Sequence, residues 1–167
     1  MDKYLKDAEF LAKIEPYIKR PEFQRLKNSQ HHNDSVYSHT LRVAYKAWRV
    51  GKHFSQHPDE LLRAALFHDL YFHDWREKEF IICHGWVHPV IALKNARELF
   101  GPITEREANA ISSHMWPFNF TNPPRFREAL IVTFSDRSVA TGEVVVMFFN
   151  WIKRLVTGQK RDLKKED

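Results

Sequence analysis

The stretch LLRAALFHDL, residues 61–70, decides how the rest of the chain is read. Leu61, Leu62, Ala65 and Leu66 recur at helical spacing, so residues 59–69 are expected to form a helix facing a core. That run ends on His68 and Asp69. An ionised carboxylate in such a place is costly unless it is paired or binds a cation. Successive helical residues point about 100° apart, so the two side chains would approach one ion from two directions. The pattern returns in ALIVTFSD, residues 129–136, where another apolar helical run ends on Asp136. Two carboxylates at the ends of two apolar helices suggest a shared cation.

Outward from these segments the reading stays helical. Strand alternation is rare and Asn-Gly hairpin signals are absent. Phe10, Leu11 and Ile14 mark a first helix, expected to stop near Pro16, and Pro21 can open a second with Phe23 and Leu26. Ser35 or Asp34 can cap a longer helix carrying Leu41, Val43, Ala44, Ala47 and Trp48, which ends around His57-Pro58. Leu70 to Gly85 reads as irregular and aromatic. Pro89 is expected to start a helix closed by Gly101. Thr104 to Glu107 is a capping box that opens a helix through Ala108, Ile111 and His114, and Trp116-Pro117 breaks it. Further helices are expected over 125–138 and 143–156. The fold expected is all-α, one domain of about seven to eight helices. It divides into N-terminal helices over 1–30, a core over about 31–140, a C-terminal helix over 143–156 and a basic tail over 157–167.

Composition narrows the class. A chain of 167 residues fits one domain and can bury a core without staples. With 43% hydrophobic and 28% charged residues it is not a disordered sequence. The single cysteine, Cys83, excludes an internal disulfide and reads as buried and inert. The start, MDKYLKDAEF, has no apolar signal-peptide core. Val144 to Ile152 is too short for the roughly 20 residues a bilayer takes. A cytoplasmic location is expected. Net charge is +5 and pI about 9.3. Part of that excess sits in the final GQKRDLKKED, and the remaining cations look mixed with acids. Nucleic acid is therefore not the expected partner, and a small phosphorylated substrate suits the charge equally well.

The ten histidines are spread through the chain and call for an explanation in chemistry or pH response. His39, His68, Asp69, His88, His114 and Asp136 fall at or near helix ends or on core-facing helices. Imidazole with carboxylate suits Mn, Fe, Co, Ni or Zn and does not choose among them. In order, SHTLRVA around His39, AALFHDL around His68-Asp69 and IVTFSDR around Asp136 resemble the signature of the HD-domain metal-dependent phosphohydrolases. HGWVHPVIALKNARELFG and ISSHMWP make the pattern similar to the two-metal branch. It most resembles small bacterial HD-domain proteins, and more distantly the HD-type dinucleoside tetraphosphate hydrolases. The likeness spans roughly residues 31–140. It departs where Arg137 follows the last Asp in place of a frequent Lys, and where Leu70-Tyr71 replaces a common Gly after the doublet.

The resemblance implies an HD-type bundle and one or two divalent transition-metal ions. His39, His68, Asp69 and Asp136 would hold the first ion, and Asp69 would bridge to a second held by His88 and His114. Water between the ions would be the nucleophile, with Asp69, His68 and Arg137 carrying the chemistry and Arg137 contacting phosphate. His84 competes with His88 as ligand. His31, His32 and His73 are candidates for the pocket rim, and Asp74 for orienting a ligand His. Trp75, Trp86, Trp116, Phe118 and Phe120 gather near the ligands; core packing is expected of them, with base stacking the alternative. The expected function is hydrolysis of a phosphate ester or nucleotide through a metal-bound hydroxide. A di-iron oxygenase on the same ligands, or a metal-stabilised nucleotide- or RNA-binding module without catalysis, are the competing readings.

Overall fold

The computed structural model describes residues 3–28, 30–31, 34–72 and 84–157. It holds seven α-helices: α1 (Ala8–Ile18), α2 (Pro21–Gln24), α3 (Val36–Phe54), α4 (Pro58–Phe67), α5 (His84–Phe100), α6 (Glu105–Ser113) and α7 (Arg127–Thr157). Short 3-10 turns cover Lys3–Lys6 and Arg25–Lys27. Two two-residue strands, β1 (Gln30–His31) and β2 (Asp34–Ser35), pair antiparallel just before α3. The class is all-α, as the periodicity predicts. Among the described residues no helix is long and apolar enough to cross a membrane.

The expected caps form. The Ser35 hydroxyl accepts from the Ser38 amide at the start of α3. Thr104 and Glu107 complete a reciprocal capping box on α6. Gly101 adopts φ +86° just past α5, a conformation that suits glycine.

Three boundaries differ from the sequence reading. Helix α1 runs through Pro16 to Ile18. That proline sits near the helix end, and buried Phe10 and Ile14 anchor the turns before it. Helix α5 starts at His84, which puts Pro89 inside it rather than at its first turn. The two helices expected over 125–138 and 143–156 are one continuous 31-residue helix, α7. Gly142 does not break it. An interior helical glycine costs only about 1 kcal/mol, less than a long helix can absorb.

Helix α4 is the centre. Leu61, Leu62, Ala64, Ala65, Leu66 and Phe67 are all buried, so nearly its whole circumference is apolar. It packs against α3, α6 and α7. Helix α3 contributes Val43, Ala44, Ala47 and Trp48 to the same core. At Gly51 α3 lies so close to α4 that a Cβ would collide with Cδ2 of Leu61.

A polar knot ties the far end of the bundle. Glu128, in the first turn of α7, accepts from the Ser55 hydroxyl at the end of α3 (2.5 Å) and from Arg106 of α6 (3.1 Å). Burial alone would raise the Glu128 pKa, but Ser55, its backbone contact and Arg106 outweigh that and lower it.

Two outcomes follow for stability. Gly51→Ala should destabilise the protein by about 1–3 kcal/mol in urea unfolding, because Leu61 is buried and must shift. Glu128→Gln should cost about 2 kcal/mol at pH 7. A carboxylate lowered on folding stabilises above its unfolded pKa, and that contribution is lost as pH falls through the folded value. The Glu128→Gln deficit should therefore shrink in acid, read as converging unfolding midpoints.

Candidate metal centre

Five helices and the ends of their runs converge on one cluster. His39 comes from α3, in its first turns. His68 caps the C-terminus of α4, and Asp69 follows it. His88 lies on α5, His114 caps α6, and Asp136 lies on α7. His39 and His68 are fully buried, and Asp69, His88 and His114 nearly so.

The donor atoms form two groups. Nε2 of His39 lies 3.1 Å from Oδ1 of Asp136, and Nε2 of His68 lies 3.8 Å from that same oxygen. Asp69 stands between the groups. Its Oδ2 faces His68 at 3.4 Å and His39 at 3.8 Å, while its Oδ1 faces His88 at 3.3 Å and His114 at 3.5 Å. Nε2 of His88 and Nε2 of His114 are 2.7 Å apart. His39, His68 and Asp136 offer ligand atoms all within 4.8 Å of one another, and so do Asp69, His88 and His114. Ligands about 2.1 Å from one ion in a tetrahedron lie roughly 3.4 Å apart, close to most of these separations.

Backbone carbonyls set the tautomers of two rings. A carbonyl only accepts, so Nδ1–H of His68 donates to Ala65 (2.8 Å) and Nδ1–H of His114 donates to Ile111 (2.7 Å). When neutral, both rings then present the Nε2 lone pair inward. Nε2 of His68 is buried and has no hydrogen-bond partner among the described residues. A buried acceptor left in that state is expensive, and a cation would satisfy it. The donor set therefore fits a divalent metal ion.

The electrostatics agree. Burial favours neutral Asp69, but His68, His114 and His88 outweigh it and hold its pKa well below the usual range. Asp136 is also lowered, against burial, by its hydrogen bond with His39 and by the neighbouring imidazole of His68. Burial opposes a cation on His68, yet Asp69 and Asp136 raise its pKa. His114 is lowered, chiefly by burial. Both carboxylates thus stay ionised in a place that would otherwise reject their charge.

The other sequence candidates fall out differently. The side chain of Arg137 reaches back to the Met115 carbonyl (3.4 Å), and its guanidinium lies 5.2 Å from the centre of the Phe118 ring. That places it beside both Asp136 and the residue after His114. Trp116 is half-buried in the turn after α6. The core reading of the nearby aromatics is overturned for three of them. Phe118 and Phe120 are 71% and 69% exposed, and Trp86 is 39% exposed, edge-on to Phe120. The turn after α6 carries the two phenylalanines outward, away from the core. His53 is exposed, and His57 pairs with Glu60 at the start of α4. His32, His73, Asp74, Trp75 and Cys83 lie outside the described residues, as do the side chains of His31 and His84.

Two asparagines escaped the sequence reading. The buried amide of Asn109 donates to the Pro123 carbonyl (3.2 Å) and accepts from the Arg125 amide (2.7 Å). It fixes the return of the loop that leaves His114. Asn95 of α5 donates to the carbonyl of Leu70 (2.8 Å), tying the helix of His88 to the segment after Asp69. An amide side chain inside a capped helix, next to Ala110 and Ile111, was the available signal for Asn109.

The sequence model of the HD domain matches residues 36–141. That range is more than half of the chain and includes the whole cluster. The chain belongs to the HD domain family. No curated protein and no solved structure shows a significant match to it.

Asn109→Ala should lower stability by about 1–2 kcal/mol, since it strands the Pro123 carbonyl and the Arg125 amide. Faster amide hydrogen exchange at residues 114–126 would show the loop loosening with it.

Proposed function

We propose that the protein is a metal-dependent phosphohydrolase acting on a phosphate ester or nucleotide. The observation that carries this reading is Asp69, whose two oxygens face two separate sets of imidazoles. In this reading His39, His68, Asp69 and Asp136 hold one ion, and Asp69, His88 and His114 hold the other. Bound ions would supply an acidified water and a clamp on phosphoryl oxygens.

The remaining work belongs to the chain. The carbonyls of Ala65 and Ile111 keep His68 and His114 in the ligating tautomer. Buried Asp69 and partly buried Asp136, both ionised, concentrate negative charge where cations are to be held. Arg137, which follows Asp136 in α7, carries a positive fork and in this reading is the group to orient a phosphate. Phe118 beneath that guanidinium limits its motion. Exposed Phe118, Phe120 and Trp86 offer apolar rings to a nucleobase, which favours a nucleotide over a plain ester. The domain spans the chain as one unit in this reading, with its substrate a small molecule and its compartment the cytoplasm.

The test is turnover. Protein reconstituted separately with Mn, Fe, Co, Ni and Zn is assayed against a phosphomonoester, nucleoside mono- to triphosphates and a phosphodiester. Release of phosphate or nucleotide in at least one metal is expected. Asp69→Asn should lose more than about 100-fold. Arg137→Ala should weaken substrate capture while still binding metal. No turnover in any metal, or dioxygen uptake by the iron form without hydrolysis, would contradict the reading.

A further inference from the structure

The histidines of the cluster are oriented by different means. His68 and His114 close α4 and α6, and each donates Nδ1–H to the carbonyl three residues back. His88 lies inside α5 instead. Its ring meets that of His114, with centres 4.7 Å apart. It also meets the ring of Tyr71 edge-on, with centres 6.3 Å apart and planes at 65°. His114 is itself one of the ligands, so Tyr71 is the aromatic neighbour from outside the set.

The backbone puts Tyr71 in that place. The Leu70 amide donates to the Phe67 carbonyl (3.1 Å), and the Tyr71 amide donates to the Asp69 carbonyl (2.7 Å). The chain therefore turns tightly, directly after the carboxylate that faces both groups of imidazoles. Asn95, two turns beyond His88 on α5, holds the Leu70 carbonyl (2.8 Å). The face of α5 that carries His88 thus also grips the segment that carries Tyr71. Both rings are buried. Asp69 and His88 stand on different elements, and Tyr71 reaches both, one through its amide and the other through its ring.

We propose that Tyr71 is a positioning residue that seats His88 and so determines whether a second ion is held beside the first. This rests on the two-ion reading above, in which Asp69, His88 and His114 form the second group. A metal–imidazole bond of about 2 Å tolerates little displacement of the ligand. Without the ring beside it, the His88 imidazole gains space to rotate away from Asp69 and His114. Groups that orient a ligand histidine are typically worth 10–100-fold in metal affinity. The contact is made by the ring, as aromatic pairs packed edge-on are, so the ring and not the hydroxyl carries the role.

The test is calorimetric titration of the metal-stripped full chain with Zn and with Mn, beside elemental analysis of the loaded protein. Wild type should take up close to two ions per chain. Tyr71→Ala should keep the affinity of the first ion and bind the second at least about tenfold more weakly. Tyr71→Phe should restore both. Thermal melting of the metal-free proteins checks that each variant folds. Should Tyr71→Ala not fold, Tyr71→Leu keeps apolar bulk without a ring and should show the same selective loss. Undiminished binding of the second ion by these variants would overturn the proposal. Equal weakening of both ions would overturn it too, since that is what general loosening of the core produces, and so would failure of Tyr71→Phe to restore the second ion. A wild type that binds only one ion would instead overturn the two-ion reading itself, and this proposal with it.

Discussion

The structure turns on one carboxylate. Asp69 is nearly buried at the end of a helix that is itself buried on nearly every side, and it stays ionised there. The cost of that placement is large, and imidazoles alone do not remove it without taking up protons. Each oxygen of Asp69 addresses a different set of histidines, so the groups on α3, α4 and α7 and those on α5 and α6 meet through this side chain. A cation on either side would satisfy the carboxylate and the unpartnered Nε2 of His68 together.

The fold serves that convergence. Helix α4 is apolar on nearly every side because it must be surrounded, and being surrounded brings its C-terminal residues to the middle of the bundle. Gly51 lets α3 lie against Leu61 of α4, and at the other end of α3 His39 faces Asp136. The knot of Glu128, Ser55 and Arg106 fastens the distal ends of α3, α6 and α7. Asn95 and Asn109 fix the backbone after Asp69 and after His114. Among the described residues none of these groups is hydrogen-bonded or ion-paired to the cluster, and each ties down an element or loop that leads to it.

Much of this was legible in the sequence. Periodicity located α3, α4 and α6, and residue pattern named Thr104 and Gly101 as caps. Apolar runs closing on His68-Asp69 and on Asp136 pointed to a shared cation, and the resemblance to the HD-domain phosphohydrolases joined His39, His88 and His114 to them. What stayed hidden depends on tertiary context. Pro16 and Pro89 look like helix boundaries, but α1 and α5 run through them, and the gap expected near residues 139–142 is closed because an interior glycine costs a long helix little. The exposed rings of Phe118, Phe120 and Trp86 look like core residues until the turn after α6 is seen to carry them outward. Arg42, Lys46, Arg49 and His53 seem scattered along the chain, and only the helix gathers them into one cleft. Which oxygen of Asp69 meets which imidazole could not be read from spacing at all.

The most direct measurement of the central claim is the metal content of untagged protein, before and after reconstitution with Mn, Fe or Zn, beside Asp69→Ala. Close to two ions per chain in wild type, with the variant losing both, is the result this account predicts. Protein that binds no transition metal tightly under any of these conditions, or a variant that retains the wild-type content, would contradict it.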